Sequence, residues 1–127
     1  MAGKFGKFSK GNEEKIKPTR YYSNLQEKAV AKAIGGKQTS NSGATMFQKG
    51  DVSLDSLFLI ECKTKVKDCD CITLHKDWIT KNKEESIFMN KDYSAVAINF
   101  GPNQENYYII DENLFSTLVE YLQSLKE

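Results

Sequence analysis

Asp51, Glu61 and Lys63 are the residues of this chain best suited to a reaction, and they fall within one stretch, Gly50 to Lys65, reading GDVSLDSLFLIECKTK. Side chains alternate faces along a strand, so Glu61 and Lys63 project to one side of an expected strand Leu57–Lys65 while Cys62 points to the other. Apolar Val52 and Leu54 precede the turn pair Asp55-Ser56, and Leu57 to Ile60 follow it, so a hairpin would carry Asp51 back beside Glu61. Two carboxylates and an ammonium at the end of an apolar strand pair are costly unless they neutralise one another or hold a cation. Carboxylate oxygens suit a hard divalent ion such as Mg2+, which keeps waters and also binds substrate phosphate. A neighbouring lysine can orient or deprotonate an attacking water, or stabilise charge growing on phosphate. The same letters also describe a strand running out to solvent, its end closed by a Glu61–Lys63 surface pair.

Asp51, nine intervening residues and then Glu61-Cys62-Lys63 together resemble the motif of the PD-(D/E)XK nuclease superfamily, and the flanking text is similar to archaeal-type and phage Holliday junction resolvases. The likeness is carried further by Ser42-Gly43 ahead of the aspartate, by the run Leu59 to Thr64 and by Glu27 on a preceding helix. It covers roughly residues 22 to 100. Gly50 stands where the family name has Pro, which removes no ligand.

The resemblance implies an α/β fold, a single restriction-endonuclease-like core with a mixed central sheet flanked by helices. It implies a Mg2+-dependent endonuclease, Mn2+ being the alternative ion, that hydrolyses phosphodiester bonds in DNA at four-way or otherwise branched junctions. Asp51 and Glu61 would hold the metal, with the backbone carbonyl of Cys62 as a further ligand and Glu27 as a third carboxylate. Lys63 would position or activate the water. Ser42 would lie close to the scissile phosphate, with Ser40 a neighbour that could take its place. A symmetric homodimer is implied as well, because a junction needs two opposed nicks, and two-fold pairs are the commonest oligomers. Recombination, repair and processing of viral DNA all fit. Two other readings use the same residues: a restriction-like or nicking nuclease acting on duplex, flaps or forks, and a non-catalytic DNA-binding module whose acidic pair is structural.

The elements that must position these residues are legible in outline. Ser23 to Gln26 reads as a capping box and Gly35-Gly36 as a stop, which predicts a helix from about Asn24 to Ile34 with Leu25, Ala29, Val30, Ala33 and Ile34 inward. Glu27 lies off that stripe, an exposed helix charge on pattern alone. Lys37 to Lys49 is polar and predicts a first strand bent near Gly43. A second helix is expected over Leu74 to Asn90, capped by Thr73 and anchored by Trp78, Ile79 and Met89, with Lys76, Lys81 and Lys83 outward. Tyr93 to Phe100 reads as a central strand, Gly101-Pro102-Asn103 as a turn and Asn106 to Ile110 as a returning strand. Asp111 should cap a last helix, about Asn113 to Lys126, with Leu114, Leu118, Tyr121, Leu122 and Leu125 on one stripe beside Phe115 and Val119.

Composition sets the bounds. A chain of 127 residues, 39% hydrophobic, fits one domain with a modest core. No apolar run approaches a membrane span and the start has no signal-peptide segment, which predicts an intracellular, cytoplasmic protein with no membrane partner; the resemblance implies a bacterial, archaeal or phage-infected cell and no small-molecule substrate. Cys62, Cys69 and Cys71 are odd in number and agree with a reducing compartment. With His75 they could make a zinc site only without the usual paired C-x2-C knuckles. Residues 1 to 83 carry 16 Lys and Arg against 9 Asp and Glu, whereas residues 84 to 127 carry 2 against 8. The basic part holds the candidate site, as a phosphate-backbone partner would favour, though a merely solvated surface is also charged. Residues 1–20, with Lys4, Lys7, Lys10, Lys15, Lys17 and Arg20 among Phe5 and Phe8, read as a basic flexible arm ahead of a nuclease domain over residues 21–127.

Overall fold

Five strands and three helices are built from residues 17–39 and 51–127, the part of the chain that the computed structural model describes. In chain order they are α1 (Thr19–Ile34), β1 (Lys37–Gln38), β2 (Val52–Leu54), β3 (Phe58–Thr64), α2 (Lys76–Phe88), β4 (Tyr93–Asn99), β5 (Asn106–Ile109) and α3 (Glu112–Ser124). The strands form one mixed sheet in the order β1-β2-β3-β4-β5, antiparallel throughout except for the parallel pair β3–β4. This is the single α/β domain with a helix-flanked mixed sheet that the sequence predicts. The body of the basic arm, Ser40, Ser42 and the bend near Gly43 lie outside the described residues.

The expected hairpin is present. Val52, Ser53 and Leu54 pair with Ile60, Leu59 and Phe58. Asp55 turns the chain at φ 47, in the left-handed region that aspartate tolerates better than most residues, and Leu57 N–H closes the turn on Leu54 O at 2.9 Å. Alternation then sorts β3 between two layers. Ile60 and Cys62 join Val30, Val52, Ala95 and Ala97 in the core beneath α1, while Leu59, Glu61 and Lys63 face the other way. Because β3 and β4 run parallel, a crossover must join them, and α2 is that crossover.

The helices depart from their expected faces in a consistent way. α1 begins after Pro18, which has no side chain to cap it, so Ser23 and Gln26 lie inside the helix and form no capping box. Gly35, at φ 73, does end it, with Gly36 N–H bonded to Ala31 O at 2.8 Å. The inner face carries Gln26, Glu27 and Val30, with Ala31 and Ile34 partly buried, whereas Leu25, Ala29 and Ala33 are exposed. The reason is that Gln26 has partners on the sheet. Its Nε2 donates to Lys63 O at 3.0 Å, Ala97 O at 3.2 Å and Asn106 Oδ1 at 3.1 Å.

α2 repeats the device from the sheet's other side. It starts at Lys76 rather than Leu74, with His75 at the cap position in place of Thr73, and its buried residues are Asn82 and Ser86 while Trp78, Ile79 and Met89 are half-buried. Asn82 Nδ2 donates to Leu59 O at 3.1 Å and Ala95 O at 3.0 Å. Each of two helices thus lays one buried amide across β3 and β4.

Asp111 caps α3 as predicted, accepting Leu114 N–H at 2.8 Å. Of the expected stripe, however, Leu114 is buried and Val119 half-buried, while Phe115, Leu118, Tyr121, Leu122 and Leu125 are exposed. The first turn of α3 is what ties it down, through Leu114 and the Lys83–Asp111 ion pair at 3.0 Å. Among the described residues no helix is long and apolar enough to cross a membrane.

Asn82→Ala removes a buried amide that serves one carbonyl on each of the two parallel strands. It should lower stability by about 1–3 kcal/mol, read as a reduced midpoint with unchanged slope in urea unfolding.

Candidate active site

Asp51 stands one residue before β2, where β1, β2 and β3 converge. Its backbone N–H donates to Ile60 O at 3.0 Å and its carbonyl accepts from Thr39 N–H at 2.9 Å, so the main chain is held on both sides. Its side chain then takes over from the ladder: Oδ2 accepts the Cys62 N–H at 2.7 Å, a charge-assisted bond to the middle of β3. The N–H and C=O of one strand residue leave the same edge, so the Cys62 carbonyl also faces the Asp51 edge.

Glu61 and Lys63 share the face opposite the Cys62 thiol, as the alternation requires. Lys63 Nζ lies 3.2 Å from Glu61 Oε2, the side chains being 33% and 23% exposed respectively. A second contact comes from α2, where the Trp78 ring centroid is 5.0 Å from Lys63 Nζ. The His75 ring packs on Trp78 with centroids 4.9 Å apart.

The electrostatics follow from burial and from Asp51. Glu61 is pushed up to about 7, first by burial of its carboxyl and next by the Asp51 charge; Lys63 opposes the shift and Glu85 adds to it. Glu27 is raised as well, by burial first and against a hydrogen bond from Gln38, with Asp51 adding to the rise and Arg20 resisting it. The Cys62 thiol is driven up by burial first and then by the Asp51, Glu27 and Glu61 charges, with Lys63 opposing the shift.

The structure therefore brings together Asp51, Glu61, Lys63 and the Cys62 main chain. Glu27 is not the exposed charge that the helix pattern implied: it is 7% exposed, because Gln26 turns that face of α1 to the sheet. It accepts from Gln38 Nε2 at 3.1 Å on the α1 side, with Asp51 the acid that both it and Glu61 feel. Ser42 lies outside the described residues. Trp78, legible only as a core anchor, stands at Lys63, and Glu85 was missed. Counting from Trp78 in steps of four and three gives Asn82 and Glu85, so helical spacing alone would have put that acid on the inward face.

Among the described residues no group of three or more His, Cys, Asp or Glu is arranged to hold a metal ion: neither the zinc combination of Cys62, Cys69, Cys71 and His75 nor the expected three carboxylates of Asp51, Glu61 and Glu27 forms one. Asp51 and Glu61 offer a different kind of site. Two carboxylates whose mutual repulsion helps to raise Glu61, beside a strand-edge carbonyl, are the residues that could hold a hard divalent ion such as Mg2+. In comparisons with known proteins, no family model, no curated protein and no solved structure matches this chain.

A pH-dependent stability follows from Glu61. Its carboxyl is raised in the fold from an ordinary value of 4.5 to about 7, so the fold carries no penalty for it below pH 4.5, and a growing one between 4.5 and 7 as the unfolded chain ionises first. Glu61→Gln should therefore stabilise the metal-free protein at pH 8 by about 1–3 kcal/mol, the margin closing towards pH 4. Thermal melts of both proteins across that pH range, in chelator, measure it.

Proposed function

We propose that this chain is a Mg2+-dependent endonuclease that hydrolyses phosphodiester bonds of four-way or otherwise branched DNA, working as a homodimer. The observation that carries the reading is the convergence of Asp51 and Glu61 at one sheet edge, with Lys63 Nζ 3.2 Å from the Glu61 carboxylate. The choice of branched DNA and of a two-fold pair rests on the resemblance of Asp51, Glu61-Cys62-Lys63 and their flanks to the junction resolvases.

Each residue has a part in such a reaction. Asp51 has its carboxylate oriented by the Cys62 N–H and would be one metal-holding acid. Glu61 contributes only when ionised, which its value near 7 makes a function of pH. The Cys62 carbonyl adds a neutral oxygen at the same edge. Mg2+ bound there would supply positive charge to the phosphate and make a water more acidic. Lys63 carries three N–H donors; it can orient the attacking water in line with the bond to break and stabilise the charge that accumulates on phosphorus-bound oxygen. As the new oxygen–phosphorus bond forms, the bond to the leaving sugar oxygen breaks, and the proton that the attacking water gives up to solvent is balanced by one that the leaving oxygen takes from solvent. Glu27, paired with Gln38, is a supporting acid on the far side of Asp51.

Exposed lysines that follow the site are those available to a phosphate backbone, with Asp68, Asp70 and Asp77 exposed among them. Lys67, Lys76 and Lys81 are exposed and follow the site along the chain. Lys83 is engaged with Asp111 and drops out of the set of lysines available to phosphate.

Cleavage of a labelled four-way junction beside a linear duplex of the same sequence tests the reading. Paired symmetric nicks should appear in the junction with Mg2+, rise with pH through about 7 and vanish in chelator. Asp51→Asn should lower the rate by about 100-fold or more, as loss of a metal-holding carboxylate does. Cutting of both substrates would move the function to a general nuclease. Binding without cutting would leave a non-catalytic DNA-binding module.

A further inference from the structure

Among the described residues, the Lys63 ammonium lies beside both an acid and an aromatic ring. Glu61 neutralises its charge at 3.2 Å, while the Trp78 ring, on a different element, lies 5.0 Å from the same Nζ. A cation over an indole face gains attraction from the ring quadrupole, and the gain grows where water is partly excluded. Both side chains are half-buried, so the contact is sheltered. Trp78 is fixed in turn. It sits in the first turn of α2, its N–H bonded to His75 O at 3.0 Å, with the His75 ring packed against it. One turn further on, Asn82 ties the same helix to β3 and β4 at Leu59 O and Ala95 O. The ring is thus referenced to the strand that carries Lys63.

We propose that Trp78 is a positioning residue that holds the Lys63 ammonium at the reacting phosphate. The inference rests on the nuclease reading of the site. A carboxylate that turns towards a divalent ion is a poorer counter-ion for lysine, and a long flexible side chain then needs a second anchor to stay in place. An aromatic face provides one without competing for the metal. Glu61 could then change partners during turnover while Lys63 keeps its place.

The test uses the full chain as wild type, Trp78→Phe and Trp78→Leu, with melts to establish that all three are folded at the assay temperature. Cleavage of a four-way junction in Mg2+ is measured over substrate concentration, and the Lys63 ε-methylene protons are followed by NMR. With the ring present those protons should be shifted upfield, and Trp78→Leu should return them to the ordinary lysine position. Trp78→Leu should lower kcat by about 5- to 30-fold with KM within about twofold, and Trp78→Phe, which keeps an aromatic face, should recover most of the loss. An unshifted Lys63 signal in the wild type, equal kcat in Trp78→Leu, or Phe no better than Leu would each overturn the inference while leaving an active wild type and its nuclease reading intact. A wild type that cuts nothing would overturn both.

Discussion

The hydrogen bond from the Cys62 N–H to the Asp51 carboxylate, 2.7 Å long, is the contact on which the site's geometry depends. Backbone pairing between β2 and β3 ends at Val52 and Ile60, and a buried N–H beyond that point needs an acceptor. Asp51 supplies it from a side chain, so one bond completes the edge of β3 and fixes a carboxylate. The same register leaves Glu61 and Lys63 on the α2 face and the thiol on the α1 face. Asp51 sits where the two faces meet, which is why both Glu27 and Glu61 respond to its charge although they belong to opposite layers.

The strand that bears the site is held by two amides. Gln26 reaches β3 at Lys63 O and β4 at Ala97 O; Asn82 reaches β3 at Leu59 O and β4 at Ala95 O. These contacts lie four residues apart on β3, one at each side of Glu61. A buried amide that loses its partners is expensive, so the pair opposes slippage of the parallel register between β3 and β4. It also explains why neither helix shows its inner face as an apolar stripe. The helix faces that pack on the sheet are chosen by partners for polar groups as much as by area removed from water.

Strands were therefore easier to read than helix faces. Alternation in Leu57 to Lys65, the turn at Asp55-Ser56 and the apolar run at Tyr93 gave the hairpin, the central strand and the shared face of Glu61 and Lys63, because those depend on local chemistry. For α1 the periodic pattern pointed to Leu25, Ala29 and Ala33, and Glu27 looked like surface. The sequence writes Gln26 and Glu27 with letters that usually mean solvent, and their partners, Lys63 O and Gln38, are distant in the chain or on another element. The stripe of α3 is real as a pattern but has little sheet to meet beyond Leu114, something no window within the helix contains. Trp78 was read as a core anchor for a similar reason: its second role exists only once β3 passes beneath α2.

The charges that make the site usable also strain the fold that carries it. Glu61 ionises against burial and against Asp51, and Lys63 offsets only part of that cost. Buried Glu27 adds a second disfavoured carboxylate at the same edge. The core has little to spare, since the buried apolar cluster beneath α1 consists of small and medium side chains around Val30, Val52 and Ile60. On the proposed reading, a cation held by the acids would relieve the excess negative potential. A divalent ion that binds the native pair and not the unfolded chain stabilises the fold by mass action, and it does so through the ionised form of Glu61. On the proposed reading, folding stability, metal affinity and the reactive protonation state would be three readings of one equilibrium, centred on the Glu61 carboxyl, which Lys63 pairs with and the Asp51 charge opposes.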